Sequence, residues 1–366
     1  MPCVTTSCKD DTEPATTIAT VSPLEKICKL MKLVGASDKK IKIFRAGYEG
    51  DIATMDNLKG SSDFRTYCQG VAASGNKELL MQCLNKGATP SIGLEGAALG
   101  GQMDLVRLML EKGATDYGDA LECAAIGGHM DIVQLMLEKG KINYREGLKY
   151  AAVGGQMDIV QLLLNKGATD YDRGLMGAAY GGHMDIVQLM LNKGADPNDG
   201  LRGAAEGGHM DIVQLMLNKG ADPNNGLEGA ARGGDMDIVQ LLLNKGATDY
   251  NRGLTNAASE GHLNIVLLML VKGADPNNGL EHATRGGHTD IVQLLLEKGA
   301  DPNRGLTIAA EYGYTEIVKL LLLQPGINVN KKDFDGRTPL DYAVIRGHTK
   351  CVDYIRIAGG KRGMEL

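Results

Sequence analysis

A segment of about 26 residues recurs along most of this chain, and no other feature of the sequence limits its fold so strongly. The glycines that close its Lys-Gly pairs stand 26 or 27 residues apart, at Gly87, Gly113, Gly140, Gly167, Gly194, Gly220, Gly246, Gly273 and Gly299. Pro325-Gly326 keeps the step at 27, and Gly359 follows 33 residues later. A repeat this short cannot bury its apolar face alone, so neighbouring units must stack. The period therefore predicts an elongated solenoid.

One unit, residues 199–224, has the sequence DGLRGAAEGGHMDIVQLMLNKGADPN. Leu201 and the alanines three and four residues later lie on one face of a short first helix. Gly207-Gly208 ends this helix, because glycine tolerates the left-handed conformation at a helix C-terminus. Apolar residues between 210 and 217 form the wide face of a second helix. Neither helix is long enough to be stable alone, so stability must come from stacking.

The composition agrees with stacked short helices and excludes several classes of protein. Fifty glycines, no Trp and three Phe do not suit one large globular core. The net charge of −6 offers no basic surface for nucleic acid. Seven cysteines without a CxxC pair indicate a reducing, intracellular location, most simply the cytoplasm. A secretory start and a run of 18 apolar residues are both absent, so we expect no membrane association.

The recurring AAxGGH, DIVQLxLxKG and GADPN segments resemble the ankyrin repeat, whose units carry a TPLHxAAxxGH helix, an xxIVxLLLxxGA helix and a loop beginning GADxN. The resemblance covers roughly residues 64–359, with a weaker start near residue 41. It implies an all-α, ankyrin-like helix-turn-helix solenoid. Most units lack the β-hairpin finger ending in GxTPL, so their hairpin loops are truncated. Shortened units of this kind look like those in proteins of large DNA viruses of amoebae.

The repeats divide the chain into five predicted segments. The first residues are rich in Thr, Ser, Asp and Pro without a helical period, which predicts a disordered tail. Ser22-Pro23 then provides a helix start. The segments are a tail at 1–22, capping helices with a degenerate repeat at 23–63, repeats of 26–27 residues at 64–326, a full-length C-terminal capping repeat at 327–359, and a short tail at 360–366.

The loops between units have two lengths. Where Pro stands three residues after the loop glycine, the next first-helix Leu follows that glycine by seven residues. Elsewhere it follows by eight, and a Tyr stands at the fourth position. The rigid backbone of Pro suits the shorter path. We expect the extra residue to expose or stack these loop tyrosines, which are Tyr117, Tyr144, Tyr171 and Tyr250.

Six of the seven histidines occupy one slot directly after a glycine. Successive slots lie one repeat apart, about 8–10 Å for packed helices, which is too far for two ligands of one ion. The spacing therefore predicts a structural role in the turn. The Gly-Gly pairs lack the context of a phosphate-binding loop, and the Asp-Pro-Asn loops lack the ligand spacing of a calcium loop. We predict no metal and no cofactor.

The position five residues after the first-helix Leu changes character along the chain. It is apolar in four successive units, at Leu99, Ile126, Val153 and Tyr180, and then becomes Glu206, Arg232, Ser259, Arg285 and Glu311. In the ankyrin family this position tends to line the concave groove. An exposed apolar stripe on a soluble protein is typical of an interface. The alternative is that local packing or a folded-back N-terminal segment covers the stripe.

We predict a site for a protein partner over residues 92–180. It consists of the apolar stripe and the nearby tyrosines, which are Leu99, Tyr117, Ile126, Tyr144, Tyr150, Val153, Tyr171 and Tyr180. No Ser, Cys or His departs from the repeat pattern in a way that suggests catalysis; Cys123 is either a reactive thiol or a small apolar filler.

The sequence thus predicts a non-catalytic scaffold for protein–protein interaction that binds a protein partner through its groove. Two alternatives remain open. The first is a self-assembling structural component, for example of a virus particle. The second is an enzyme or adaptor whose chemistry lies in the N-terminal 60 residues, although that segment has no recognisable catalytic motif. A viral source would place it in the host cytoplasm or the virion.

Overall fold

The structure is a computed structural model that describes residues 22–58, 60–140 and 144–366. The predicted disordered tail, apart from Ser22, lies outside the described residues. Within the described residues the chain forms 25 α-helices and two short 3-10 turns, with no β-strand. The all-α prediction is confirmed.

The first helix, α1 (Pro23–Leu33), precedes 24 helices that follow one another as twelve pairs. The first helices of the pairs are α2 (Asp38–Glu49), α4 (Asp63–Ala73), α6 (Pro90–Leu99), α8 (Tyr117–Gly127), α10 (Tyr144–Val153), α12 (Tyr171–Gly181), α14 (Pro197–Gly207), α16 (Pro223–Gly233), α18 (Tyr250–Glu260), α20 (Pro276–Gly286), α22 (Leu306–Tyr312) and α24 (Pro339–Arg346). The second helices are α3 (Ile52–Leu58), α5 (Lys77–Asn85), α7 (Met103–Glu111), α9 (Met130–Lys139), α11 (Met157–Asn165), α13 (Met184–Asn192), α15 (Met210–Asn218), α17 (Met236–Asn244), α19 (Leu263–Val271), α21 (Thr289–Glu297), α23 (Thr315–Leu322) and α25 (Thr349–Ile357).

The core is continuous along the array. In the unit of α14 and α15, Leu201 and Ala204 of the first helix and Ile212, Val213 and Met216 of the second are fully buried. The corresponding residues of the other units join them in one apolar cluster that extends from the first helix pair to the last. Each short helix is therefore stabilised by its neighbours, as expected for helices too short to be stable alone.

The two glycines that end each first helix have different roles. Gly208 has a φ of +79°, the left-handed conformation that the sequence predicts for the turn. Gly207 is helical, and a Cβ atom there would overlap the carbonyl oxygen of Tyr180 on the preceding first helix. The second glycine thus makes the turn, while the first lets adjacent helices approach backbone to backbone.

Asparagine side chains connect the loops of successive units by hydrogen bonds. Asn198 Oδ1 accepts a hydrogen bond from the Asp222 N–H of the next loop at 2.8 Å. Asn224 Oδ1 accepts from both Thr248 N–H and Asp249 N–H, at 2.8 and 2.9 Å. The same bond recurs from Asn251 to Asp275 and from Asn277 to Asp301. This ladder satisfies backbone donors that would otherwise lack a partner at the helix starts.

The loop tyrosines neither bulge outward nor stack on one another in the described part of the chain. They stand at the first residues of α8, α10, α12 and α18, half-buried against the main core. Lys193 Nζ lies 5.7 Å from the Tyr171 ring centre. The extra loop residue is thus accommodated by placing an aromatic ring at the helix start, which corrects our expectation of an exposed or stacked ring.

In the last unit the predicted tail folds back onto α24. Thr338 and Asp341 form a capping box at the start of that helix. Asp341 also accepts hydrogen bonds from Arg362 Nε at 2.9 Å and from Gly363 N–H at 2.7 Å. On α25, Cys351 is buried and Arg356 is exposed. The residues from 360 onward therefore add contacts to the final unit.

Candidate functional site

Helix α1 lies on the apolar stripe. Leu30 is buried in a cluster with Ile126 and Val153, which are 4% and 3% exposed. Leu99, Tyr150, Tyr180 and α1 residue Leu33 pack around this cluster. The N-terminal segment therefore folds back over the stripe, which is the alternative that the sequence left open. We call the surface that the first helices form along the array the groove; α1 covers one part of it.

The other end of α1 is fixed at the start of the array. Ile27 is buried with Phe44 of α2 and Ala73 of α4. Glu25 pairs with Arg45 Nη1 at 2.8 Å. The helix begins where the sequence predicts, with Ser22 Oγ accepting a hydrogen bond from the Glu25 N–H at 3.2 Å. Together these contacts make α1 cross the first helices from α2 towards α12.

The structure brings together five of the eight predicted site residues and leaves three apart. Leu99, Ile126, Tyr150, Val153 and Tyr180 form or border the cluster under α1. Tyr117, Tyr144 and Tyr171 pack instead on the main core. These three rings stand at the N-terminal ends of their helices, and nine residues separate Tyr171 from Tyr180, a distance of about 13 Å along a helix. They are not part of the stripe.

A pocket of about 360 Å³ opens where α1 ends. Its walls include Leu33, Tyr150 and Tyr180, together with the cations Lys149, Arg202 and Arg232 and the carboxylate Glu206. Lys149 Nζ lies 5.1 Å from the Tyr150 ring centre, a cation–π contact. Burial raises the pKa of Glu206, an effect that Arg232 partly opposes. The pocket is therefore aromatic on one side and mainly cationic on the other.

A smaller pocket of about 150 Å³ lies between α1 and the floor of the groove, beside Glu122, Cys123 and Met31. Glu122 has no hydrogen bond or ion pair with any residue that the structure describes. Burial, then the charges of Asp119 and Glu146, raises its pKa to about 7. Burial also raises the pKa of the Cys123 thiol, which suits a small apolar filler rather than a nucleophile. Sequence reasoning missed Glu122, because neither its burial nor its position beside α1 follows from the repeat pattern.

Beyond Tyr180 the groove is uncovered and carries charged side chains. Arg232 lies 3.9 Å from Glu206 and donates a hydrogen bond to Asn256 Oδ1 at 2.9 Å. Further along, Arg346 pairs with Glu311 at 2.6 Å. The groove thus has an apolar part under α1 and a polar, solvent-facing part.

The histidine slot is structural. The Nε2 atoms of His129 and His209 lie 3.1 Å from the carbonyl oxygens of Leu99 and Tyr180, on the preceding units. His183, His262, His288 and His348 make the same contact. Gln102, which replaces His in one unit, donates to Ala73 O at 3.2 Å. In these units the side chain in the slot ties the unit to the previous one, whereas Asp235 in the same slot accepts a hydrogen bond from the Ile238 N–H of its own helix.

No cluster of three or more side chains suited to a metal ion occurs in residues 22–58, 60–140 and 144–366. Among the same residues, no helix combines the length and the apolar character needed to cross a membrane.

Comparison with known families agrees with this architecture. The family model described as ankyrin repeats (3 copies) matches residues 94–174, 175–252, 201–279, 227–305 and 280–361. Comparison with curated proteins gave no match. Ankyrin repeats generally mediate protein–protein interactions and generally serve as non-catalytic scaffolds. The family matches run from residue 94 to residue 361, most of the chain, and the chain therefore belongs to the ankyrin repeat family.

Proposed function

We propose that this chain is a non-catalytic scaffold that binds a protein partner in its groove. The observation that carries the proposal is α1 itself, an amphipathic helix that lies in the groove with Ile27 and Leu30 buried against it. A surface that holds one helix of this chain has the shape and apolar character to hold a segment of another protein.

The uncovered part of the groove supports the same proposal. Arg232 and Arg285 are exposed there, and Tyr180 borders them with a half-buried ring. Arg and Tyr are residue types that supply much of the binding energy in protein interfaces. The proposal includes no cofactor, no metal, no nucleic acid and no membrane.

The test compares two variants of the full chain in their capture of partners from the native cell. The groove variant carries Tyr180→Ala, Arg232→Ala and Arg285→Ala. The matched control carries Gln214→Ala and Gln240→Ala, which are exposed on the second helices α15 and α17. For every partner that the control retains, we expect the captured amount, quantified by mass spectrometry, to be at least tenfold lower with the groove variant. Equal recovery by the two variants would overturn groove binding.

A second candidate is a self-assembling structural component. Apolar side chains are exposed in the last unit, with Ile345 at 58% and Ile357 at 82%. An array that ends in exposed apolar residues offers a contact surface for another molecule. Light scattering across a concentration series tests this candidate. Oligomers of the wild type that are absent from the double variant Ile345→Ser with Ile357→Ser would favour this candidate. A wild type that stays monomeric at all concentrations would exclude it.

The proposed location is the interior of a cell, either the host cytoplasm or a virion if the source is a large DNA virus. Five cysteines of the described residues, including Cys68 and Cys83, are free thiols, which supports a reducing compartment.

A further inference from the structure

Helix α1 occupies the groove as a bound peptide would. Its apolar residues follow one another at intervals of three, and each contacts the next part of the groove. Ile27 packs near Phe44 and Ala73, and Leu30 packs on Ile126 and Val153. Leu33 then borders the pocket at the end of the helix. This is the way in which an amphipathic helix binds in a groove, through anchors on one face.

The fit between α1 and the groove is incomplete. The pocket of about 150 Å³ remains between Met31 and the groove floor. Val34, which borders both pockets, is 45% exposed. In the core between helix pairs, by contrast, residues such as Leu201 and Met216 are fully buried. A helix with a better fit would therefore bind the groove more tightly than α1 does, since close packing strengthens contact.

The charges around the end of α1 indicate what a better-fitting helix carries there. Helix α1 ends at Leu33, beside Lys149, Arg202 and Arg232. Lys149 has no ion pair among the residues that the structure describes. Arg202 Nη2 contacts Asp199 Oδ1 and Met176 Sδ, both at 3.2 Å, but a guanidinium has five N–H donors, so these contacts leave others available. Carboxylates that follow the apolar face of a bound helix would meet these cations.

We propose, resting on the proposed function, that the groove under α1 is the binding site for an amphipathic helix of a partner protein, with acidic residues directly after its apolar face. In the free protein α1 occupies this site and closes it. Binding of the partner requires α1 to leave the groove, so partner helix and α1 compete.

Three labelled peptides serve as probes in fluorescence anisotropy. The first has the sequence of residues 22–37. The acidic peptide adds Gly35→Glu with Ala36→Glu to that sequence, and the basic peptide adds Gly35→Lys with Ala36→Lys. Each peptide is titrated with three proteins: the wild-type chain, the Leu30→Asp variant and the Lys29→Asp variant. Leu30→Asp places a carboxylate against the apolar floor of the groove and should release α1. Lys29 is exposed on α1, so this last variant introduces the same residue without opening the groove.

We expect Leu30→Asp to bind the acidic peptide at least tenfold more tightly than the wild type and Lys29→Asp do. We also expect it to bind the acidic peptide at least fivefold more tightly than the basic peptide. Adding Lys149→Gln with Arg202→Gln to Leu30→Asp removes that preference. Equal affinity of wild type and Leu30→Asp would overturn the competition with α1, and equal affinity for acidic and basic peptides would overturn the assigned partner chemistry.

Two further measurements keep the test decisive. Should Leu30→Asp change the thermal unfolding of the array, Leu30→Ala replaces it and must give the same order of affinities. Light scattering tests whether the helix in the groove comes from a second copy of the chain. If the wild type is a dimer and Leu30→Asp dissociates it, α1 is exchanged between chains, contrary to the proposal.

The peptide titrations test this inference, and the cellular capture tests the proposed function, so the two can be contradicted separately. Peptides that do not bind, together with a groove variant that loses its cellular partners, would overturn this inference and leave the proposed function intact. A groove variant that keeps all its partners would overturn the proposed function, whatever the peptides do.

Discussion

The groove is built differently where α1 covers it and where it is open, and the difference lies in one position of the repeat. Two residues after the first-helix Leu, the open part has Gly177, Gly203 and Gly229. A Cβ at Gly203 would overlap the carbonyl oxygen of Met176 on the preceding helix. In the covered part this position holds Cys123 and Tyr150, whose side chains border α1, and only Gly96, near the start of the array, packs on the preceding helix as the glycines of the open part do.

The same position therefore has two uses. Glycine lets neighbouring first helices approach backbone to backbone, while a side chain contributes to a surface that another helix covers. Stability of the open part depends on close approach within the array, and stability of the covered part depends also on α1. This contrast predicts that substitutions in the two parts have different consequences.

The largest expected effect is on the open part. Gly203→Ala adds a methyl group where Met176 O already fills the space, and we expect it to lower the free energy of unfolding by about 2–3 kcal/mol. Gly118→Ala is the matched control, because Gly118 is also helical but has no atom within 4 Å of an added Cβ. It should raise stability by about 0.5–1 kcal/mol. Chemical denaturation measures both, and two effects of the same sign would contradict the role assigned to the glycine.

A smaller and more local effect is expected in the covered part. Leu30→Ala removes the anchor of α1 on Ile126 and Val153, which should cost about 2 kcal/mol of α1 docking. Hydrogen exchange of the α1 amides should then become about 30-fold faster, since about 1.4 kcal/mol corresponds to tenfold. Exchange in α14 and α16 should not change. Lys29→Ala, on the exposed side of α1, is the control, and equal acceleration by both variants would mean that α1 is not anchored through Leu30.

The sequence predicts the parts of this comparison that depend on the repeat. The period and the Gly-Gly pairs predict the helix pairs, and Gly208 has the positive φ expected of it. The spacing of the histidines also predicts that they are structural. These inferences succeed because they concern contacts that recur in most units, so the chain provides its own alignment.

The remaining features depend on contacts between segments that have no common pattern. The apolar face of α1 is visible in the sequence, but periodicity does not say which surface that face meets. The position of Glu122 beside α1 was missed for the same reason. The asparagine ladder was missed because Asn224 reaches Thr248 only after the units have stacked in one register. The three loop tyrosines belong to the same units as the stripe, but they stand at the N-terminal ends of the first helices, whereas the stripe lies towards the C-terminal ends.

The histidine slot occurs in both parts of the groove and sharpens the comparison. His129→Ala and His209→Ala each remove one bond to a carbonyl of the preceding unit, so each should lower the free energy of unfolding by about 1 kcal/mol. His209→Gln should be nearly neutral, because Gln102 and Gln156 make this bond in other units. Denaturation of the three variants measures this. A distinctly larger effect at His129 would show that α1 strengthens the contact there.

The smallest expected effect distinguishes the covered part by its response to pH. Folding raises the pKa of Glu122 from its ordinary 4.5 to about 7, chiefly through burial. The folded state therefore binds this proton more tightly than the unfolded state does. The resulting stabilisation is fully present below pH 4.5 and is lost as the pH rises through about 7.

Glu122→Gln keeps a neutral side chain at every pH, so its stability should match the wild type near pH 4 and exceed it at pH 8. We expect a difference of about 1 kcal/mol at pH 8, allowing for screening by solvent at this half-buried site. Glu138→Gln, on the exposed face of α9, should show no such dependence. The decisive comparison adds Leu30→Asp: once α1 leaves the groove, Glu122 is hydrated, and the advantage of Gln at pH 8 should shrink. An advantage that persists unchanged would mean that the array alone, and not α1, buries this carboxyl.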